Sequence, residues 1–532
     1  MLFSPRSRAR RVRTCITAVA MLVLAACDRS PSGGTPPGRA VNLEYFVAPS
    51  TFDPAAGRAL DDYIGANLLF STLTARDFDG TIIPNLASGW NVRSASEYSL
   101  TIRDDAACAD GAKITPAVVA ASLAYYADND NDAHPSAAPV FGLGKTTITA
   151  DDAARTVSIT LGQPNSEFLA ALSVPQAGII CPAGLADKAG LAAGSVKGAF
   201  SGPYTLGSAK PGVEYSYDLR PSFTQWVKYA RILPGVPPGR IVFGIRADPS
   251  TTASKLLSGG LDIGSATGDT IRRFAGRSDY NRVNLIIASV YVAFNETPGR
   301  YFAGKPEARK AVAQAIDRAA FTMIFSNDLS PIFNSVIPRD YKCALEDPSL
   351  VPAPDPAAAA AVLRGATVKF PASMGFGDRG KGADYLQKAL TGAGAAVELT
   401  KHDNASWVAT IQNAQADWDM TLMSDVNALN LMSPSLTRVI GPSYQTGGRN
   451  VTASKNPDGE AAVAASQSAT DPREQCRQFK IAQRSVLSRQ DVVPLAGIAS
   501  SLVSVPDVTI EAPAGTANYA TIRLANTTHP TG

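Results

Sequence analysis

From Leu285 onward, short apolar runs alternate with helical stretches, and this alternation constrains the fold more than any other feature of the 532-residue chain. Strand-like runs lie at Leu285–Phe294, Ala366–Phe370, Ala396–Leu399 and Met420–Met423. Helical stretches lie at Pro306–Ile324, Gly382–Leu390, Ala405–Asn413 and Arg473–Leu487. Such an alternation predicts an α/β lobe. The first half reads differently. It opens with a strand-like run at Val41–Val47 and a helix over Leu60–Phe70. Tyr98–Arg103 alternates as a half-buried strand, and Thr115-Pro116 offers an N-cap with proline at the first helical position, leading a helix to about Tyr126. Further strands are expected near Thr156–Leu161, Gly202–Leu206, Glu214–Leu219 and Arg240–Arg246, then a helix stopped by Gly259-Gly260. The last forty residues return to strand and turn, as if the chain crossed back to its first lobe.

The N-terminal end is of another kind. Five arginines precede an apolar run from Ile16 to Ala26, which is shorter than the roughly 20 residues a spanning helix needs. The run ends in Leu24-Ala25-Ala26-Cys27 and resembles a bacterial lipobox, whose cysteine becomes the lipid-modified first residue. On this reading residues 1–26 are a signal peptide and residues 27–40, rich in Pro, Gly and Ser, a flexible tether. The body is then expected in the cell envelope, in the periplasm or on the outer face of the cytoplasmic membrane, held by lipid. The signal contributes five of the 49 basic residues and no acid, so the body carries a slight excess of its 46 acidic residues. That balance argues against nucleic-acid binding.

Enzyme-like fragments do not assemble into a site. Gly375-Phe-Gly377-Asp-Arg-Gly380 matches GxGxxG, with Glu398 near the end of the next strand. Four residues separate the apolar run from the first glycine, however, so the turn is looser than a dinucleotide site requires and reads as a strand–loop–helix connection. Gly144-Lys145-Thr146 looks like the tail of a phosphate loop, but Pro139 stands where the first glycine belongs. The three histidines are scattered, and HExxH, GxSxG and SxxK are all absent from the sequence. No metal or cofactor is expected.

Several ordered stretches resemble the extracytoplasmic solute-binding proteins of peptide-type ABC importers, the oligopeptide/dipeptide/nickel-binding family (family 5). They are Ser50-Thr-Phe-Asp53-Pro54, Leu73 through Trp90, Tyr98–Arg103 with Asp110-Gly111 and Thr115–Ser122, and Gly202-Pro203-Tyr204. Ser258 to Asp262, Val292 to Asn295 and Arg309 to Arg318 continue the series. The resemblance implies an α/β, two-lobed periplasmic-binding-protein-like fold with a hinge and an extra subdomain inserted in the first lobe. Lobe I would comprise 41–58, 197–287 and 490–532, the inserted subdomain 59–196, and lobe II 288–489. Four cysteines lie in this body, and an even number in an oxidising compartment argues for two bridges. Of three pairings, Cys108–Cys181 and Cys343–Cys476 is favoured because each closes within one proposed lobe.

The resemblance further implies a monomeric, non-catalytic receptor that captures a small solute, with a short peptide the leading candidate, and delivers it to ABC transporter membrane subunits. Peptide binders of this family hold the ligand ammonium with an acid in a segment corresponding to Asp417–Pro434, where this chain lacks the usual tryptophan. Asp425 is the expected anchor, with Asn427 and Asn430 nearby and Trp407 and Tyr444 available to stack on a ligand. The rival readings are an envelope hydrolase acting on a small peptide- or sugar-like substrate and a sensory or chaperone-like interaction protein.

Overall fold

The computed structural model describes residues 39–128, 134–413, 417–426 and 429–525. Cys27 and Asn427 lie outside the described residues. The elements assemble around three large apolar cores, each traceable to local sequence. In the first, strand Glu97–Ile102 turns Tyr98, Leu100 and Ile102 inward and sits in a four-stranded antiparallel sheet with Ala87–Ser94, Thr156–Thr160 and Thr147–Asp151. Helix Pro116–Tyr126 starts as its sequence predicts, with the Thr115 hydroxyl accepting the Val118 N–H at 3.4 Å. Phe141, Phe168 and the Cys108–Cys181 disulfide complete this core.

The second core is built on strand Ala40–Tyr45, which runs parallel to Arg240–Ile245 beside the antiparallel strands Glu214–Leu219 and Tyr204–Lys210. Helix Leu60–Leu69 packs on it, and so do Val508, Ile510, Tyr519 and Ile522 from the end of the chain. The third core holds the α/β alternation between Val290 and Ala496. Here strand Thr367–Ser373 pairs in parallel with Ala396–His402, and the Cys343–Cys476 disulfide ties helix Pro472–Ser488 to the preceding loops. Both bridges therefore follow the favoured pairing. Gly375–Gly380 joins strand Thr367–Ser373 to helix Lys381–Gly392 with Phe376 buried in the core, a plain connection.

Two long antiparallel strands, Asn281–Phe294 and Val492–Ser504, link the second core to the third. Val283, Leu285 and Leu502 pack at one end, while Val290–Phe294 and Val492–Ala496 pack at the other. The register shifts between Ile286 and Ala288, midway along, and again between Val290 and Tyr291, irregularities of the kind that locally increase twist.

One expectation needs correction. The helix expected over Pro306–Ile324 is two helices, Pro306–Ala315 and Arg318–Ser326. Apolar periodicity runs through the break, but Ile316 is extended and the Asp317 carboxylate accepts the N–H groups of Ala319 and Ala320 at 2.9 and 3.1 Å. The Tyr385 hydroxyl fixes the break by accepting the Asp317 N–H and donating to its carbonyl. An interior aspartate thus acts as an N-cap.

Candidate functional site

Residues 429–433 form a tongue that leaves the third core and enters the first. Leu429 and Leu431, 8% and 2% exposed, pack in the first core. The tongue backbone is held by two charged side chains. Arg76 donates to the Asn430 and Leu429 carbonyls at 2.6 and 3.0 Å, and also to Ala170 and Ser173. Glu167 accepts the N–H groups of Met432 and Ser433 at 2.6 and 3.0 Å and the Ser433 hydroxyl at 2.5 Å. These two N–H groups open the short helix Met432–Leu436, whose own N-cap residue, Leu431, has no side chain to cap it. The cap comes from the facing core. Ser166 adds bonds to the Ser466 and Gln467 carbonyls, and Gln475 donates to its hydroxyl.

Beside this clasp lies a cavity of about 480 Å³ walled by both sides: Tyr63 and Gln176 on one, Asp425, Arg438 and Arg449 on the other. Two smaller cavities, about 390 and 130 Å³, flank the tongue at Arg76. The larger one is distinguished by its polar groups. Gln176 Oε1, both Asp425 carboxylate oxygens and Arg438 Nε are buried without a well-aligned hydrogen-bond partner among the described residues. Buried polar groups are nearly always well partnered, so this cluster makes the cavity the candidate site.

Asp425 ends strand Met420–Asp425, which pairs with Asn281–Phe294 and brings Asp425 opposite Ser289. Its carboxylate lies 2.6 Å from Arg438 Nε as an ion pair. Burial pushes the Asp425 carboxyl upward, and the positive charge of Arg438 pulls it back. Arg449 approaches from the loop between Gly441 and Ser454. The Asn450 amide stitches that loop by donating to the Gly441 and Ser454 carbonyls, while its oxygen accepts the Thr452 N–H. Gly448 allows the close turn, since a Cβ there would collide with the Pro442 carbonyl. Arg449 is accessible to solvent, yet its surroundings desolvate it. That desolvation and the nearby Arg438 lower its pKa.

The expected site residues scatter. Asp425 reaches the cavity, and Tyr444 lies within the electrostatic field of Arg438 and Arg449, half-buried against the third core. Asn430 belongs to the tongue, with its amide donating to the Ala514 carbonyl and the Thr516 hydroxyl. Trp407 is 5% exposed in the third core and donates its indole N–H to Thr421. Gln176, Arg438, Arg449 and Glu167 were not anticipated. They come from distant parts of the chain and carry no local motif.

A model of the bacterial extracellular solute-binding proteins, family 5 (middle region), matches residues 81–443. A substrate-binding protein from Microbacterium hydrocarbonoxydans, solved with 4-hydroxybenzoate hydrazide, is 34% identical with a TM-score of 0.75, covering 91% of this chain and 100% of that one. AgaA from A. tumefacien R10 with agropinic acid is 21% identical, TM-score 0.69, covering 88% and 94%. A dipeptide-binding protein from Pseudoalteromonas sp. SM9913 with Met-Leu is 17% identical, TM-score 0.71, covering 91% and 100%. No curated protein sequence matches. With the two-lobed α/β architecture and this family match together, the chain belongs to the bacterial extracellular solute-binding proteins of family 5.

Proposed function

We propose that this chain is a lipid-anchored receptor that closes two lobes over a small organic solute and delivers it to an ABC permease. One observation carries the reading: Gln176 and Asp425, from facing cores, line one cavity of about 480 Å³, within the usual range for a bound small molecule. Closure and capture are then the same event, because neither wall forms the site alone. Lobe I (41–58, 197–287 and 490–532, with 59–196 inserted) moves against lobe II (288–489) by flexing the strands Asn281–Phe294 and Val492–Ser504. The 34% identical relative was solved with an acyl hydrazide, which favours a small acyl or amide compound; a short peptide falls in the same class. Anchoring rests on Leu24–Cys27 alone.

Calorimetry on protein stripped of co-purified solute tests the capture. Saturable uptake of one solute per chain, recovered chemically unchanged by mass spectrometry, is expected. Conversion of the recovered solute would overturn the reading in favour of the hydrolase. For the anchor, Cys27→Ser is expected to move the protein from the membrane fraction to the soluble fraction; unchanged partitioning would remove the lipid from the proposal.

A further inference from the structure

We propose that the captured solute carries an anionic group, held at Arg449, and a hydrogen-bond donor at its other end, turned toward Gln176. This rests on the capture reading above and specifies its chemistry. Three charged side chains meet on the second-lobe wall, and two of them already answer each other, since Asp425 and Arg438 are ion-paired at 2.6 Å. Arg449 is left over. Among the described residues it has no hydrogen-bond or ion-pair partner, although it lines the cavity and the Asn450 stitching holds its loop in place. A guanidinium presents five donors in a plane suited to a carboxylate. Next to it, the Tyr291 hydroxyl, in a residue 1% exposed, also has no partner, and burial keeps its proton in place. Arg449 and Tyr291 are donors in one electrostatic neighbourhood where an acceptor is wanted. Arg58, which lines the facing wall, has a partner of its own.

Pairing with Arg438 also takes Asp425 out of the role expected for it. A carboxylate already neutralised by a guanidinium holds an incoming ammonium weakly, so the charge that the cavity offers is positive.

The opposite wall asks for a donor. Tyr63 donates its single hydroxyl proton to the Gly57 carbonyl at 2.9 Å. The Gln176 amide beside it therefore turns its N–H₂ toward the Tyr63 oxygen. Gln176 Oε1 then remains as an acceptor in a residue 1% exposed, with no partner among the described residues. An O–H or N–H group of the solute satisfies it.

Matched fragments test this. Binding by saturation-transfer NMR and calorimetry would be measured for 4-hydroxyphenylacetate, its primary amide and tyramine, for phenylacetate, and for the dipeptide Ala-Phe with its C-terminal amide. Each acid is expected to bind about tenfold or more tighter than its amide, with tyramine weakest. Arg449→Gln should erase the preference for acid over amide while leaving the melting temperature unchanged, and Arg449→Lys should restore part of it. Gln176→Met should weaken 4-hydroxyphenylacetate but leave phenylacetate unaffected. Equal binding of acid and amide by the unaltered protein, or an acid preference that survives Arg449→Gln, overturns the inference while leaving solute capture standing. Binding of no fragment from any class counts against the capture reading itself, and the inference falls with it.

Discussion

The clasp at Glu167 and the cavity at Arg449 both lie between the first and third cores and use the same kinds of side chain, yet they differ in what those side chains still have to offer. The Glu167 carboxylate accepts two backbone N–H groups and a hydroxyl, with the Gln467 amide at 3.5 Å. Arg76 directs its donors to three carbonyls and one hydroxyl. In the cavity, Asp425 is answered by an ill-aligned Arg438 and the Ser435 side chain, and Arg449 has no partner among the described residues. A saturated polar cluster fixes geometry, whereas an unsaturated one held rigid by its neighbours is set up to receive a ligand. On the proposed reading, the clasp sets the closed form and the cavity decides what closes it.

If that division holds, the clasp can be broken without touching solute chemistry. Glu167→Ala should have the largest effect, because it strands the Met432 and Ser433 N–H groups and removes charge-assisted bonds, at a cost to the closed form of about 2–4 kcal/mol. Small-angle scattering should show a larger radius in the presence of solute. Affinity should fall while the order of preference among solutes is kept. A changed order would show that Glu167 belongs to the site. Leu431→Ala comes next, at about 2–3 kcal/mol, since it leaves a hole in the first core where the tongue enters. Denaturant unfolding and the same scattering measurement would detect it, and an unchanged closed radius would mean that the tongue does not hold the lobes. Gly448→Ala works from the cavity side. Its Cβ collides with the Pro442 carbonyl, so the loop carrying Arg449 must shift, at about 1–2 kcal/mol in global stability. Solute affinity should drop while the scattering radius of the unliganded protein stays the same. Retained affinity would refute the placement of Arg449 as a ligand group.

Much of the scaffold was legible because its causes are local. Thr115-Pro116 starts a helix wherever it is placed, and the alternation at Tyr98–Ile102 can bury only one face. Asp317 misled because a capping aspartate and an exposed helical aspartate look alike in sequence; the Tyr385 hydroxyl that settles the matter is 68 residues away. Of the residues expected at the site, Asp425, an acid closing an apolar strand, lines the candidate cavity. Gln176 and Arg449 meet across the cavity with more than half the body's length between them, and neither sits in a motif. The ring of Trp407 could stack on a ligand, but the same surface makes it a core residue, and Thr421 satisfies its one polar group.

A third charged cluster shows that burial alone does not make a binding site. Glu296, with its side chain 8% exposed, lies 2.8 Å from Arg309, which also bonds the Phe302, Arg489 and Gln490 carbonyls and faces Asp491. Burial raises the Glu296 carboxyl to about 7, opposed by Arg309 and reinforced by Asp491. Its pKa is higher in the folded chain than in the unfolded one, so the folded state holds a proton that the unfolded state has released. This group therefore favours folding increasingly as pH falls from about 7 toward the ordinary glutamate value, and the benefit is absent above that window. Asp491, raised chiefly by burial, adds in the same sense. Melting temperatures compared between pH 8 and pH 5 should rise more for the unaltered protein than for Glu296→Gln, by about 1–3 °C. Solute affinity should be the same in both proteins at every pH, since the cluster packs against the third core and neither wall of the cavity uses it. Were Glu296→Gln to change affinity, the boundary drawn between groups that hold the fold and groups that hold the solute would have to move into the second lobe.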